Sequence, residues 1–233
     1  MRLTEPGGKD LRIAPRHPLG FVYSERVPVR LVSHPLVHDA LVTLRDERTV
    51  PEHFRRAATR ISVLLAAEAL REVPTGEVVV RTPLGPASGR RIGVDVVVVP
   101  VLRAGLGMLD AVLELVPDAR VGHIGLQRDE LTAVASQYYS KLPAPLAGSY
   151  VVMIDPMLAT GGSAVAALDL LARAGARAVR IVCIVAAPEG VELVEQRHPG
   201  VEIYTPVVDA SLNDQKYIVP GLGDFGDRLY GTV

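Results

Sequence analysis

Three short stretches of this chain hold residues whose types and spacing suit a phosphorylated sugar and a flat base. The first is YVVMIDPMLATGGS, Tyr150 to Ser163. An apolar run ends in an acid, Asp155, then passes through Pro156, Met157, Leu158 and Ala159 to Thr160, Gly161, Gly162 and Ser163. The paired glycines permit backbone angles and close approaches that a Cβ blocks. Free N–H groups at the start of a following helix, with the Thr160 and Ser163 hydroxyls, can cradle a phosphate. A carboxylate repels phosphate but accepts hydrogen bonds from a sugar diol, and that is the chemistry read for Asp155. No lysine follows Gly162, so this is not a Walker loop, and a GxGxxG turn is absent from the segment. A plain strand–turn–helix connection also uses paired glycines. The acid, the two hydroxyls and the apolar run in series favour phosphate binding.

The second stretch, Val99 to Gly107, again runs from an apolar segment through glycines into a helical pattern. Its Arg103 can fork onto a second phosphate group. Alone, an arginine at a helix start is usually just solvated. Beside the Asp155 loop on one sheet edge, it indicates a ligand with phosphates at both ends of a sugar. The third stretch, Lys216 to Asp227, reads KYIVPGLGDFGD. Its glycines expose backbone N–H and C=O groups that suit the edges of a planar base. A structural terminus strapped over the sheet would use the same glycines.

Alternating elements must position these loops. Strand patterns occur at Val78–Thr82, Val94–Val101, Ala119–Leu126, Tyr150–Asp155, Ala178–Ala187 and Val201–Val208. Helical patterns occur at Leu36–Arg48, from near Pro51 to a stop at Pro74–Gly76, at Ala104–Leu115, at Ser163–Ala174 with Gly175 as C-cap, and at Pro188–His198. This alternation predicts an α/β fold, a central mostly parallel sheet with helices on both faces. A chain of 233 residues, 48% hydrophobic, fits one such domain with a large core. Residues 1–32, rich in proline and glycine and mildly basic, are read as an N-terminal arm, and 33–233 as the domain. The net charge of −1 argues against a general nucleic-acid binder. The single cysteine, Cys183, reads as a buried inert thiol in a strand, which fits a reducing compartment. MRLTEPGGKD has no apolar signal core, and no apolar run approaches the roughly 18 residues of a membrane span. A soluble, cytoplasmic protein is expected. His34 and His38 read as structural or solvated and His123 as core-packed, none with metal-ligand spacing to another.

Six stretches then carry a resemblance. HPLV at 34–37, LRDERT at 44–49, PVLRAGLGMLD at 100–110, DPMLATGGSA at 155–164, VAAPEGVE at 185–192 and YIVPGLGDFGDRLYGT at 217–232 stand in the order of the uracil phosphoribosyltransferase family. The chain resembles that family over roughly residues 33–233. The resemblance implies the type I phosphoribosyltransferase fold with a C-terminal base-binding hood. It implies transfer of phosphoribosyl from 5-phospho-α-D-ribose 1-diphosphate (PRPP) to uracil, giving UMP and diphosphate in pyrimidine salvage. By the same resemblance, Pro156, Met157 and Leu158 line the PRPP site, Ala159–Ser163 hold the 5-phosphate, and Asp155 the ribose hydroxyls. Arg103, with the Ala104–Gly105 backbone, takes the diphosphate, and Arg128 from GLQRDE adds charge there. Ile218, Gly223, Asp224 and Phe225 surround uracil, largely through backbone groups. Asp224 also faces the ribose and diphosphate through Mg²⁺ and water, so Asp224, Arg103 and Arg128 are the expected catalytic residues. Mg²⁺ is the expected cofactor, carried by PRPP. A homodimer or higher homo-oligomer is expected, with GTP as an effector as in some members, and without nucleic-acid or membrane partners.

Departures from the family pattern are local. ELTAVASQ at 130–137 lacks the acidic–threonine–leucine and proline–valine pattern that precedes the paired tyrosines, although Tyr138 and Tyr139 match. That segment resembles a mobile loop over the site. Phe225 stands where many members have alanine, so a backbone contact to the base would leave specificity intact. Glu68 matches a family glutamate and reads as the partner of an arginine.

Overall fold

The computed structural model describes residues 29–128 and 135–232. In chain order its elements are β1 (Val29–Leu31), α1 (Pro35–Arg45), α2 (Pro51–Ala69), β2 (Thr75–Thr82), β3 (Gly85–Ile92), β4 (Val96–Leu102) and α3 (Leu106–Leu115). There follow β5 (Arg120–Val121), β6 (His123–Arg128), β7 (Ala135–Lys141), β8 (Tyr150–Ile154), β9 (Met157–Leu158), α4 (Gly162–Arg173) and β10 (Val179–Val182). The chain ends with β11 (Val185–Ala186), α5 (Pro188–Arg197), β12 (Glu202–Thr205), β13 (Ser211–Leu212), β14 (Ile218–Val219) and α6 (Phe225–Tyr230).

The central sheet runs β1-β12-β10-β8-β4-β6-β7, with β5 beside β4. All its pairs are parallel except β6 with β7. The fold is the expected mostly parallel α/β arrangement. The central strands β4 and β8 are buried on both faces, which is why both read as unbroken apolar runs. Their side chains alternate between two cores. Val96, Val98, Val152 and Ile154 face α1, α2, α3 and α6; Val97, Val99, Val151 and Met153 face α4 and α5. Burial also pushes the Cys183 thiol up to about 12, so it is inert.

Several elements differ from expectation. The expected strand 78–82 starts at Thr75 and pairs with β3 as a two-stranded ribbon outside the central sheet. The Thr82 hydroxyl sets its turn, donating to the Gly85 carbonyl at 2.9 Å and accepting from the N–H of Leu84 and of Gly85 at 3.2 Å. The expected strand 119–126 is β5 and β6, which keep one register against β4 on either side of Gly122, whose N–H donates to Val98 O at 2.9 Å. The expected strand 178–187 is β10 and β11, for a reason that lies in the site. Val29–Leu31, within the stretch read as an arm, is an edge strand parallel to β12, and residues 1–28 lie outside the described residues. His34 is structural: its Nδ1 accepts from Leu36 N at 3.1 Å and caps α1. Glu68 pairs with Arg71, one turn further on. No helix among the described residues is long and apolar enough to cross a membrane.

Candidate active site

Asp155 owes its place to the proline after it. Its own N–H donates to Val182 O at 3.1 Å, the last bond of the β8–β10 register. The ladder's next bond would run from Ile184 N to the Asp155 carbonyl, and the break comes at Pro156. Its carbonyl instead accepts from Ile184 N at 2.9 Å and Val185 N at 3.1 Å. The sheet steps sideways, and β9 pairs with β11 beyond the step. This is why the expected strand 178–187 is broken. Asp155 sits at the step with one side open to a small cavity and protein atoms around the rest. That desolvation pushes its carboxyl up to about 7, against the pull of the Met157 N–H, which donates to Oδ1 at 3.3 Å.

The chain then turns into α4 at Gly161, whose φ of 82° is left-handed. A Cβ on Gly161 would lie 2.8 Å from the Gly190 carbonyl oxygen, and one on Gly190 would lie 2.5 Å from that of Ala159. The loop and the first turn of α5 therefore pack backbone against backbone. Val165 N donates to Gly161 O, the first bond of α4, so the N–H groups before it have no acceptor within the helix. Asp155, Leu158, Thr160, Gly161 and Ser163 line the cavity, of about 50 Å³. Gly190 was not among the expected site residues. Its signal is a glycine in the first turn of a helix, where alanine would be more favourable.

Arg103 follows β4. Its side chain is 68% exposed, and Nη2 lies 4.0 Å from Asp227 Oδ1. Its carbonyl accepts from the Tyr230 hydroxyl at 3.4 Å. Gly105 presses the loop against its neighbour, for a Cβ there would lie 2.5 Å from the Ile154 carbonyl oxygen. The Arg103 and Asp155 loops thus touch through Gly105 and Ile154, as one sheet edge requires.

The C-terminal stretch forms the β13–β14 hairpin, a turn at Gly221 and Gly223, and α6. Asp224 caps α6: its Oδ1 accepts from Asp227 N at 2.9 Å. Phe225 is buried, its ring centroid 5.3 Å from that of Phe54. The ring belongs to the core, leaving its backbone for any contact at the cleft. Arg228 ties this hood down. Its guanidinium donates to Leu44 O, to Leu222 O at 2.8 Å and to Asp46 O at 2.6 Å, and lies 4.5 Å from the Phe54 ring centroid.

A cleft of about 290 Å³ joins the three stretches, lined by Ala104, by Met157 and Ala159, and by Ile218, Gly223 and Asp224. β6 ends at Arg128, whose side chain lies outside the described residues, as do residues 129–134 of the divergent loop. Among the described residues no three His, Cys, Asp or Glu side chains group as a metal site. Asp224 at the cleft and Asp155 at the small cavity beside it are oxygen donors that suit a hard cation that keeps waters and shares a ligand's phosphates, as Mg²⁺ does.

The family model for uracil phosphoribosyltransferase matches residues 31–232. A uracil phosphoribosyltransferase of Dictyoglomus turgidum is 51% identical over 205 residues, 88% of this chain and 99% of its own. One from Enterococcus faecalis is 46% identical over 204 residues, 87% of this chain and 98% of its own. A solved Aquifex aeolicus structure is 40% identical, with a TM-score of 0.83, over 87% of this chain and 97% of that one. Matches of this extent take in every loop of the cleft, and the chain belongs to the uracil phosphoribosyltransferase family.

Proposed function

We propose that the cleft is a single site for PRPP and uracil and that each loop takes one part of the ligand pair. The chain transfers phosphoribosyl from PRPP to uracil, giving UMP and diphosphate. The observation that carries the reading is the cleft itself, where the Arg103, Asp155 and C-terminal stretches meet. The first-turn N–H groups of α4, with Thr160 and Ser163, receive the 5-phosphate. Asp155 accepts hydrogen bonds from the ribose hydroxyls. Arg103 and the Ala104–Gly105 backbone, with Arg128, hold the diphosphate. The backbone of Ile218, Gly223 and Phe225 meets the edge of uracil.

In the reaction the ribose C1–oxygen bond to diphosphate breaks as uracil N1 bonds to C1, and the N1 proton leaves. Positive charge grows on the ribose ring and negative charge on the departing diphosphate. The guanidinium of Arg103 stabilises the second, and the loops supply positioning. Asp224 would hold Mg²⁺ through water, and the cation would neutralise charge on the leaving group when bound. The buried thiol of Cys183 fits a reducing cytoplasm. Self-association belongs to the same reading, supported by the β2–β3 ribbon, where Val79 is 72% and Leu84 100% exposed.

The test mixes the protein with PRPP, Mg²⁺ and uracil, cytosine, hypoxanthine or adenine, and measures diphosphate. Turnover is expected with uracil alone, and its absence would sink the reading. Repeating the uracil arm with GTP tests the effector.

A further inference from the structure

Behind the cleft, an ion pair that the reaction above does not use grips the base-side loop. Arg45 is the last residue of α1, and its side chain is 24% exposed; that of Asp209 is 5% exposed. One Asp209 oxygen accepts from Arg45 Nη2 at 2.7 Å, and the other from Gly221 N at 2.8 Å. The second arm of the fork, Arg45 Nη1, donates to the Gly221 carbonyl at 3.1 Å. Both backbone polar groups of Gly221 are therefore held by one ion pair. Asp209 is itself anchored, since its N–H donates to Ala186 O at 2.8 Å, at the end of β11.

Gly221 is the pivot of the loop. Its φ is 57°, and a Cβ there would lie 2.1 Å from the Ile218 carbonyl oxygen. Ile218 and Gly223, which flank it, line the cleft. Orientation of their backbone is thus set from Gly221. An exposed ion pair contributes little, but this one is largely buried and each partner also bonds Gly221, so its effect is geometric. Removing one acceptor leaves a buried N–H unpaired, which costs more than the bond itself.

We infer that Arg45 and Asp209 are positioning residues for the nucleobase, holding Gly221 so that the Ile218 and Gly223 backbone meets its edge. The inference rests on the uracil reading of the cleft, and it assigns base affinity, not phosphate affinity, to the pair.

Asp209→Asn puts an NH₂ donor against either Arg45 or Gly221 N–H and breaks one side of the clamp. Its KM for uracil should rise about tenfold, with kcat changed less. PRPP affinity, measured by calorimetry without uracil, should stay within about twofold. Arg45→Lys keeps the charge, loses the fork and should shift uracil KM in the same direction by less. It carries the test if Asp209→Asn does not fold. Equal losses of PRPP and uracil affinity, or unchanged uracil KM in a parent that turns uracil over, overturn the clamp alone. A parent with no uracil turnover overturns the base reading and the clamp with it.

Discussion

The two ends of the cleft are built from different bonds. At the phosphate end, Gly161 and Gly190 pack backbone on backbone, with no side chain between them. At the base end, guanidinium groups reach from α1, α2 and α6 to carbonyls: Arg45 to Gly221, Arg55 to Leu229, and Arg228 to Leu44, Asp46 and Leu222. A steric contact of this kind cannot yield by a few tenths of an ångström without moving backbone. A fork of hydrogen bonds can lose one member and keep the rest. The phosphate end should therefore fail abruptly under substitution and the base end by degrees.

Gly190→Ala breaks the first end most directly, because its new methyl would meet the Ala159 carbonyl at 2.5 Å. The loop must shift, and kcat/KM for PRPP should fall about a hundredfold. A parent-like kcat/KM would show the phosphate loop to be soft and remove the contrast. Arg228→Met comes next. It removes the carbonyl bonds to Leu44, Asp46 and Leu222 while keeping apolar contact with Phe54. A loss of about 2–3 kcal/mol in unfolding free energy is expected, with uracil KM raised and PRPP affinity nearly kept. Denaturant unfolding beside steady-state kinetics checks this, and a PRPP defect as large as the uracil defect would erase the distinction between the ends.

The smallest effect is a pH dependence confined to the phosphate end. With Asp155 near 7, its ionised fraction falls as pH drops from 8 to 6, and the ionised form is the stronger acceptor for a sugar diol. PRPP affinity should therefore weaken by up to about tenfold over that range in the parent, more steeply than in Asp155→Asn. Stability runs the other way. The folded value lies above the ordinary 3.8, so the stabilising contribution of the protonated form is complete below that value and lost as pH rises through about 7. Asp155→Asn should melt higher than the parent at pH 8 and not at pH 4. Parallel pH profiles of PRPP affinity, or equal melting shifts at both pH values, would refute the assignment.

Legibility in the sequence divides along the same line. The phosphate loop is a local pattern, an apolar strand, an acid and glycines within fourteen residues from Tyr150 to Ser163, with the helical pattern directly after them. The central strands β4 and β8 were equally plain because burial on both faces leaves no alternation to misread. The clamp on the base loop has no local trace: Arg45 and Asp209 stand 164 residues apart, and Arg228 reaches Leu44 across 184. Nothing near Phe225 says that its ring turns inward onto Phe54. Only the β2 half of the ribbon is legible, since the glycines and arginines of β3 hide a strand whose faces are mostly exposed. The break between β10 and β11 depends on Pro156, a residue of another strand's end.

One contact between the loops has a consequence for substrate size. Gly105 rests on the Ile154 carbonyl, so the spacing between the Arg103 and Asp155 loops is fixed by two main chains in direct contact. Such a contact acts as a caliper with no soft jaw. A ligand held by the backbone of both loops meets a spacing set by main chain rather than by side chains, so its length is read there before its polar groups are.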